Sequence, residues 1–139
     1  MSLSFDAVRQ QLAAAGLEVF RSRGDELSLA ERPRENLVMD SGVVLRVGEA
    51  LEVLVAFCAQ QTEFPDEGEV LLLERARRRA APALSDGFVE VATKVVPVAD
   101  PGNELLTIDT VYSVVCGKRV SATLEAISLL KRVLAFERG

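Results

Sequence analysis

FVEVATKVVPVADPGNELLTIDTVYSVVC, residues 88–116, decides the fold class. Four turn-forming residues, Asp100-Pro101-Gly102-Asn103, stand between two stretches rich in valine, leucine, isoleucine and threonine. β-Branched residues suit a pleated strand, and a Pro-Gly cluster between two such runs signals a hairpin. The reading is a pair of antiparallel strands over 88–98 and 104–116. Pro97 cannot donate to a strand ladder, so the first of them belongs at a sheet edge or ends in a bulge. Gly117-Lys118 reads as a break after the second.

Helical signals flank this hairpin. Upstream, 66–81 carries Asp66, Glu67 and Glu69 near its start and Arg75, Arg77, Arg78 and Arg79 near its end. Acid at the positive end and base at the negative end complement the helix dipole. Pro82 closes the segment, because the residue before a proline is pushed out of the helical region. Downstream, Ser121 is placed to cap a last helix reaching about residue 136, with Leu124, Ile127, Leu130 and Leu134 as its buried stripe.

Further back, Phe5, Val8 and Leu12 share one face of a helix over 5–15, capped by Ser4 and followed by Gly16. Residues 17–21 alternate as a half-buried strand does, Gly24-Asp25 turns the chain, and Leu27 with Leu29 suggests a second short strand. Arg32-Pro33-Arg34 is read as a break. Residues 37–39 and 43–47 then flank Asp40-Ser41-Gly42 as a hairpin turn. After a turn at Gly48-Glu49 comes LEVLVAFC, residues 51–58, apolar on both faces and therefore read as a central strand. A helix over 49–60 has the same periodicity.

These elements add up to a single α+β domain over 1–139: an antiparallel sheet with N-terminal, middle and C-terminal helices packed against it. The length and a hydrophobic content of 49% suit one folded core, and the aromatic share of 5% makes that core aliphatic. Histidine and tryptophan are absent, and there is one tyrosine. Without histidine, Ser-His-Asp and Cys-His catalysis and His-ligated zinc cannot be built. A net charge of -5 argues against nucleic-acid binding. No apolar run approaches the ~20 residues of a membrane-spanning helix. The first residues have neither the basic nor the apolar region of a secretory leader. Two distant cysteines, Cys58 and Cys116, then read as reduced buried thiols, and cytoplasm as the compartment.

Each charged cluster has two readings. Arg75, Arg78 and Arg79 are candidates for binding an anion or an acidic partner; a solvated helix end explains them too. Glu63, Asp66, Glu67 and Glu69 lack calcium-loop spacing, so helix-start electrostatics is preferred and no metal site is expected. Asp109 and Tyr112 have an acid/base reading and the plainer one of an outward strand face. The glycines follow no phosphate-loop pattern. No catalytic residue and no cofactor are expected.

The order of helix, antiparallel strands, helix, hairpin and helix resembles the type III secretion chaperones and the related YbjN-like regulators. Helices over 5–15, 66–81 and 120–136 and the run Phe88-Val89-Glu90-Val91 carry the resemblance. It implies a non-enzymatic, often homodimeric protein that holds a partner polypeptide, and it brings no site residues with it. The expectation is a homodimeric chaperone-like or adaptor module, binding through an apolar sheet face or edge with Leu51, Val53, Val55 and Phe57 in the contact. A small-ligand or enzymatic domain using Arg and Asp/Glu in a pocket is the alternative.

Overall fold

Alternating apolar and polar residues from Val19 onward fold into four consecutive antiparallel strands in the computed structural model, which describes residues 4–139. In chain order the elements are α1 (Phe5–Ala14), β1 (Val19–Arg23), β2 (Glu26–Arg34), β3 (Leu37–Val47), β4 (Leu51–Gln60), α2 (Glu69–Arg79), α3 (Ala81–Ser85), β5 (Val89–Asp100), β6 (Asn103–Val120) and α4 (Thr123–Leu134). The strands form one antiparallel six-stranded sheet in the order β1-β2-β3-β4-β6-β5, so the class is α+β. The chain groups into two compact units. One comprises Met1–Val55 and Gly117–Phe136, the other Ala56–Cys116 and Glu137–Gly139.

In the first unit, the register sets aliphatic residues side by side across the sheet. Leu27 lies opposite Leu45, and Leu45 opposite Val53; Val43 faces Val55, and Val47 faces Leu51. Side chains directly opposite on one face stand within ~5.5 Å, so each row forms a continuous apolar strip. All but Val47 are fully buried. The opposite face carries the row Glu26, Arg46 and Glu52, in which Arg46 bonds Glu26 Oε2 at 2.8 Å and Glu52 Oε1 at 2.9 Å. Alternation along each strand thus separates oil from charge.

Helix α4 packs on β3, and α1 packs on α4. The Ser4 hydroxyl caps α1 by accepting the Ala7 N–H. Gly16, at φ +83°, reverses the chain after it, a left-handed step that L side chains rarely adopt.

Three expectations are corrected here. Pro33 does not break β2, which runs through it to Arg34; an irregular register between Glu31 and Arg34 absorbs the missing donor. Asp40-Ser41-Gly42 is not a hairpin turn but a bulge within the continuous β3. There the buried Ser41 hydroxyl donates to Leu29 O at 2.7 Å and accepts the Val43 N–H, while Asp40 accepts the Gly42 N–H and Gly42 takes φ +76°. The true hairpin link is Glu35-Asn36. In α4, Ala122 stands at the N-cap and Ser121 instead donates to Glu125. Its buried face is Ala126, Ile127, Leu129, Leu130 and Val133, whereas Leu124 is exposed.

In the second unit, Cys58 lies against Ser113 and Gln61 against Thr110, which is antiparallel pairing of β4 with β6. β4 is a strand, not a helix. Helix α2 begins three residues later than its acidic start suggests, with Gly68 at its N-cap, and Asp66 and Glu67 remain in the preceding loop. It ends at Arg79, ahead of Pro82. The proline opens the short α3, where its missing N–H has no helical partner to lose. The break at Gly117-Lys118 does not exist, since β6 continues to Val120. Leu72, Ala76, Ala80, Ala83, Phe88, Val114 and Cys116 are buried in this unit with Phe57 and Ala59. Among the described residues no helix is long and apolar enough to cross a membrane.

Candidate polypeptide-binding surface

β6 is 18 residues long and β4 only 10. The β4 chain reaches Thr110 at Gln61 and then turns away. Residues 103–108 of β6 therefore keep β5 as a neighbour but lose β4. The result is a two-stranded ribbon whose faces have no cover.

That ribbon is apolar. Every residue from Val89 to Ala99 is exposed, as are 103–108. Leu105 is 97% exposed, Val89 61%, Leu106 52% and Val91 50%; Val95, Val96, Val98 and Ile108 complete the set. By strand alternation Val89, Val91 and Val95 share one face of β5, and Leu106 and Ile108 share one face of β6. Isolated exposed valines are ordinary, but a contiguous apolar run of this kind marks an interaction surface. Its base is anchored. Phe88 is buried, its N–H bonds Ala83 O at 3.0 Å, and Arg77 bonds Glu90 at 2.8 Å. The tip is tightened by Asp100 Oδ1, which accepts the Gly102 N–H.

The four residues expected to carry the contact lie elsewhere. Leu51, Val53, Val55 and Phe57 are fully buried and present no side-chain surface to a partner. Their strand lies between β3 and β6, so its apolar residues fill the core. Sequence singled out β4 because its apolar run is dense. It overlooked the hairpin, whose usable signal was Pro97: an edge marker within a valine-rich strand.

Two of the three arginines read as an anion site, Arg75 and Arg79, are engaged by glutamates. Arg75 forks onto Glu67, with Nη2–Oε1 at 2.8 Å, and lies over the Phe64 ring at 3.7 Å from its centroid. Arg79 bonds Glu63 at 3.2 Å and also donates to Cys58 O. Arg78 is exposed and adds a weaker pull on Glu67. The two forked pairs hold Glu67 and Glu63 below the usual carboxylate range. Gln61 Nε2 donates to Phe64 O and Glu67 O, so the 61–68 loop is clasped to α2 from several points. Glu63 and Glu67 of the acidic cluster thus pair with Arg79 and Arg75 of the basic one.

The remaining polar groups are similarly occupied. Asp109 Oδ1 accepts the N–H of Thr62 and of Thr110, in a depression of ≈ 390 Å³ shared with Gln61, Pro65 and Thr107. A depression of ≈ 220 Å³ holds Glu18 and Arg32, joined at 2.7 Å and both about half exposed. One of ≈ 460 Å³ holds Glu49, Arg119, Ser121 and Glu125, all exposed. In none of these is an arginine–carboxylate pair enclosed away from water, as charge chemistry in a low-dielectric pocket requires. Among the described residues no group of three or more acidic or cysteine side chains is placed to hold a metal ion. Both cysteines are free. Cys116 is buried, which pushes its thiol upward, and Cys58 Sγ lies 3.2 Å from Ser113 Oγ. No family model, curated protein or solved structure matches the chain.

Proposed function

We propose that this chain is a non-catalytic, cytoplasmic polypeptide-binding module, chaperone-like or adaptor in role, that works as a homodimer. The β5–β6 ribbon is the observation that carries the reading. A free apolar ribbon offers an extended polypeptide side-chain contact on its faces. The engagement of the arginines by glutamates supports a binding role over charge chemistry. The order of elements also resembles that of the secretion chaperones and YbjN-like regulators, proteins that hold partners without transforming them.

The occupant is a segment of unfolded or extended chain with apolar side chains. A fluorescent, reduced and carboxymethylated polypeptide is a suitable probe. The expected result is saturable binding that weakens at least tenfold in Leu106→Ser/Ile108→Ser, since burying each side chain contributes ~1.5–3 kcal/mol and 1.4 kcal/mol is a factor of ten. The thermal transition should stay where it is. No binding by the wild-type protein, or equal binding by the variant, removes the ribbon from this role.

A further inference from the structure

β5 is the last strand of the sheet, and among the described residues no strand pairs with its outer edge. Edge strands are ordinarily kept short, charged or covered, because unpaired backbone groups invite another strand. The opposite edge follows that rule: β1 has five residues, and two of them are Arg21 and Arg23. β5 has twelve, with Glu90, Lys94 and the terminal Asp100 as its only charges.

The positions of those charges fit one occupant. A strand that pairs antiparallel with a second copy of itself does so about a two-fold axis through one residue. With the axis at Ala92, Glu90, which also holds Arg77 of its own chain, lies directly opposite Lys94 of the second copy, and Lys94 opposite its Glu90. On the other face Val89 meets Val95 and Val91 meets Thr93, twice each. The paired segment, 89–95, ends before Pro97, whose absent N–H would interrupt a longer ladder.

Neighbouring axes are worse. An axis at Val91 sets Glu90 against Ala92 and Lys94 against Phe88. At Thr93 the charges face Val96 and Ala92. At Lys94 the two ammonium groups meet head-on. Opposite charges directly across an antiparallel pair stabilise it, and like charges destabilise it.

We propose that two copies of this chain join edge to edge through β5, antiparallel, with Ala92 on the two-fold axis and Glu90 paired to Lys94 across it. This rests on the dimeric part of the proposed function and assigns it a surface. The faces of both ribbons stay open, so polypeptide binding is a separate measurement. In this arrangement Lys94 selects the register.

The test uses charge reversal on the full chain, read as mass in solution by light scattering behind size exclusion. Wild type is expected at twice 15.1 kDa. Glu90→Lys alone and Lys94→Glu alone each place like charges opposite each other, and each should run at the mass of one chain. An equimolar mixture of the two variants restores both attractive pairs and should return to twice that mass. As a check independent of charge, Ala92→Cys in a Cys58→Ala background should form a disulfide-linked dimer on mild oxidation, because cross-strand Cα atoms at ~4.5–5.5 Å lie within disulfide reach. A monomeric wild type overturns the dimer itself, and Lys94 and Pro97 then stand as devices that keep the edge unpaired. A wild-type dimer that survives both single reversals, or Ala92→Cys chains that stay unlinked, overturns this surface while leaving a dimer through another one.

Discussion

β4 and β5 share an alphabet and end in opposite environments. Both are largely apolar runs with a glutamate at the second position, LEVLVAFCAQ against VEVATKVVPVAD. In β4 alternate residues from Leu51 to Ala59 are fully buried; in β5 none of the side chains from Val89 to Ala99 is. The difference is one of position in the sheet. β4 has a hydrogen-bonded neighbour on each side, β5 on one side only. Apolar content measures how much a strand would gain from burial. The topology decides whether it obtains that burial.

The comparison breaks most easily at Phe57. Its truncation to alanine empties a fully buried site, so Phe57→Ala should lower stability by ~3–5 kcal/mol in urea titration. Val91→Ala, at half exposure, should shift the same midpoint by less than ~0.5 kcal/mol. Similar losses from the two would mean that β5 is also covered in the isolated chain.

Next in size is Ser41→Ala in the β3 bulge. It removes the hydroxyl that joins Leu29 O to the Val43 N–H in a buried place, which should cost ~1–3 kcal/mol. The corresponding change in the ribbon, Thr93→Ala, should be silent. Thiol chemistry sharpens the contrast without a midpoint shift. Cys116 is buried and its thiol is pushed upward, so it should resist maleimide until the chain unfolds, while the half-buried Cys58 reacts sooner.

The smallest effect is that of pH. Glu63 and Glu67 are held low by Arg79 and Arg75, so their stabilising contribution is complete above the ordinary glutamate value of 4.5. It is lost as pH falls through their depressed folded values. Thermal midpoints should therefore be lower in Arg75→Gln/Arg79→Gln at pH 7, and that deficit should shrink as pH falls below 4.5. The margin at pH 7 should be small, since both pairs are exposed to solvent.

Much of the fold was legible because it is written in local chemistry. Ser4 and Gly16 bound α1, Asp100 to Asn103 turn the β5–β6 hairpin, and the alternation through Val43, Leu45 and Val47 picks the core face of β3. What misled was punctuation. Pro33, Asp40-Ser41-Gly42 and Gly117-Lys118 all lie within strands, because register shifts and neighbouring strands absorbed what would end an isolated strand. The exposed ribbon was partly legible: its two strands and the edge marker Pro97 were read from 88–116, but its exposure was not. Burial depends on which strand lies alongside, and β4 stops short of the hairpin for reasons no residue of β5 encodes.

The free edge of β5 also divides its backbone amides into two classes. Along any strand successive N–H groups point to opposite sides, so alternate amides of β5 bond β6 while the rest face water. In deuterium, the inward set should exchange on the timescale of ribbon opening; the outward set should exchange almost at once in an unpaired chain and slowly in the edge-to-edge dimer. The strand thereby carries its own clock for occupancy: whatever docks along that edge slows every second amide and leaves the others unchanged.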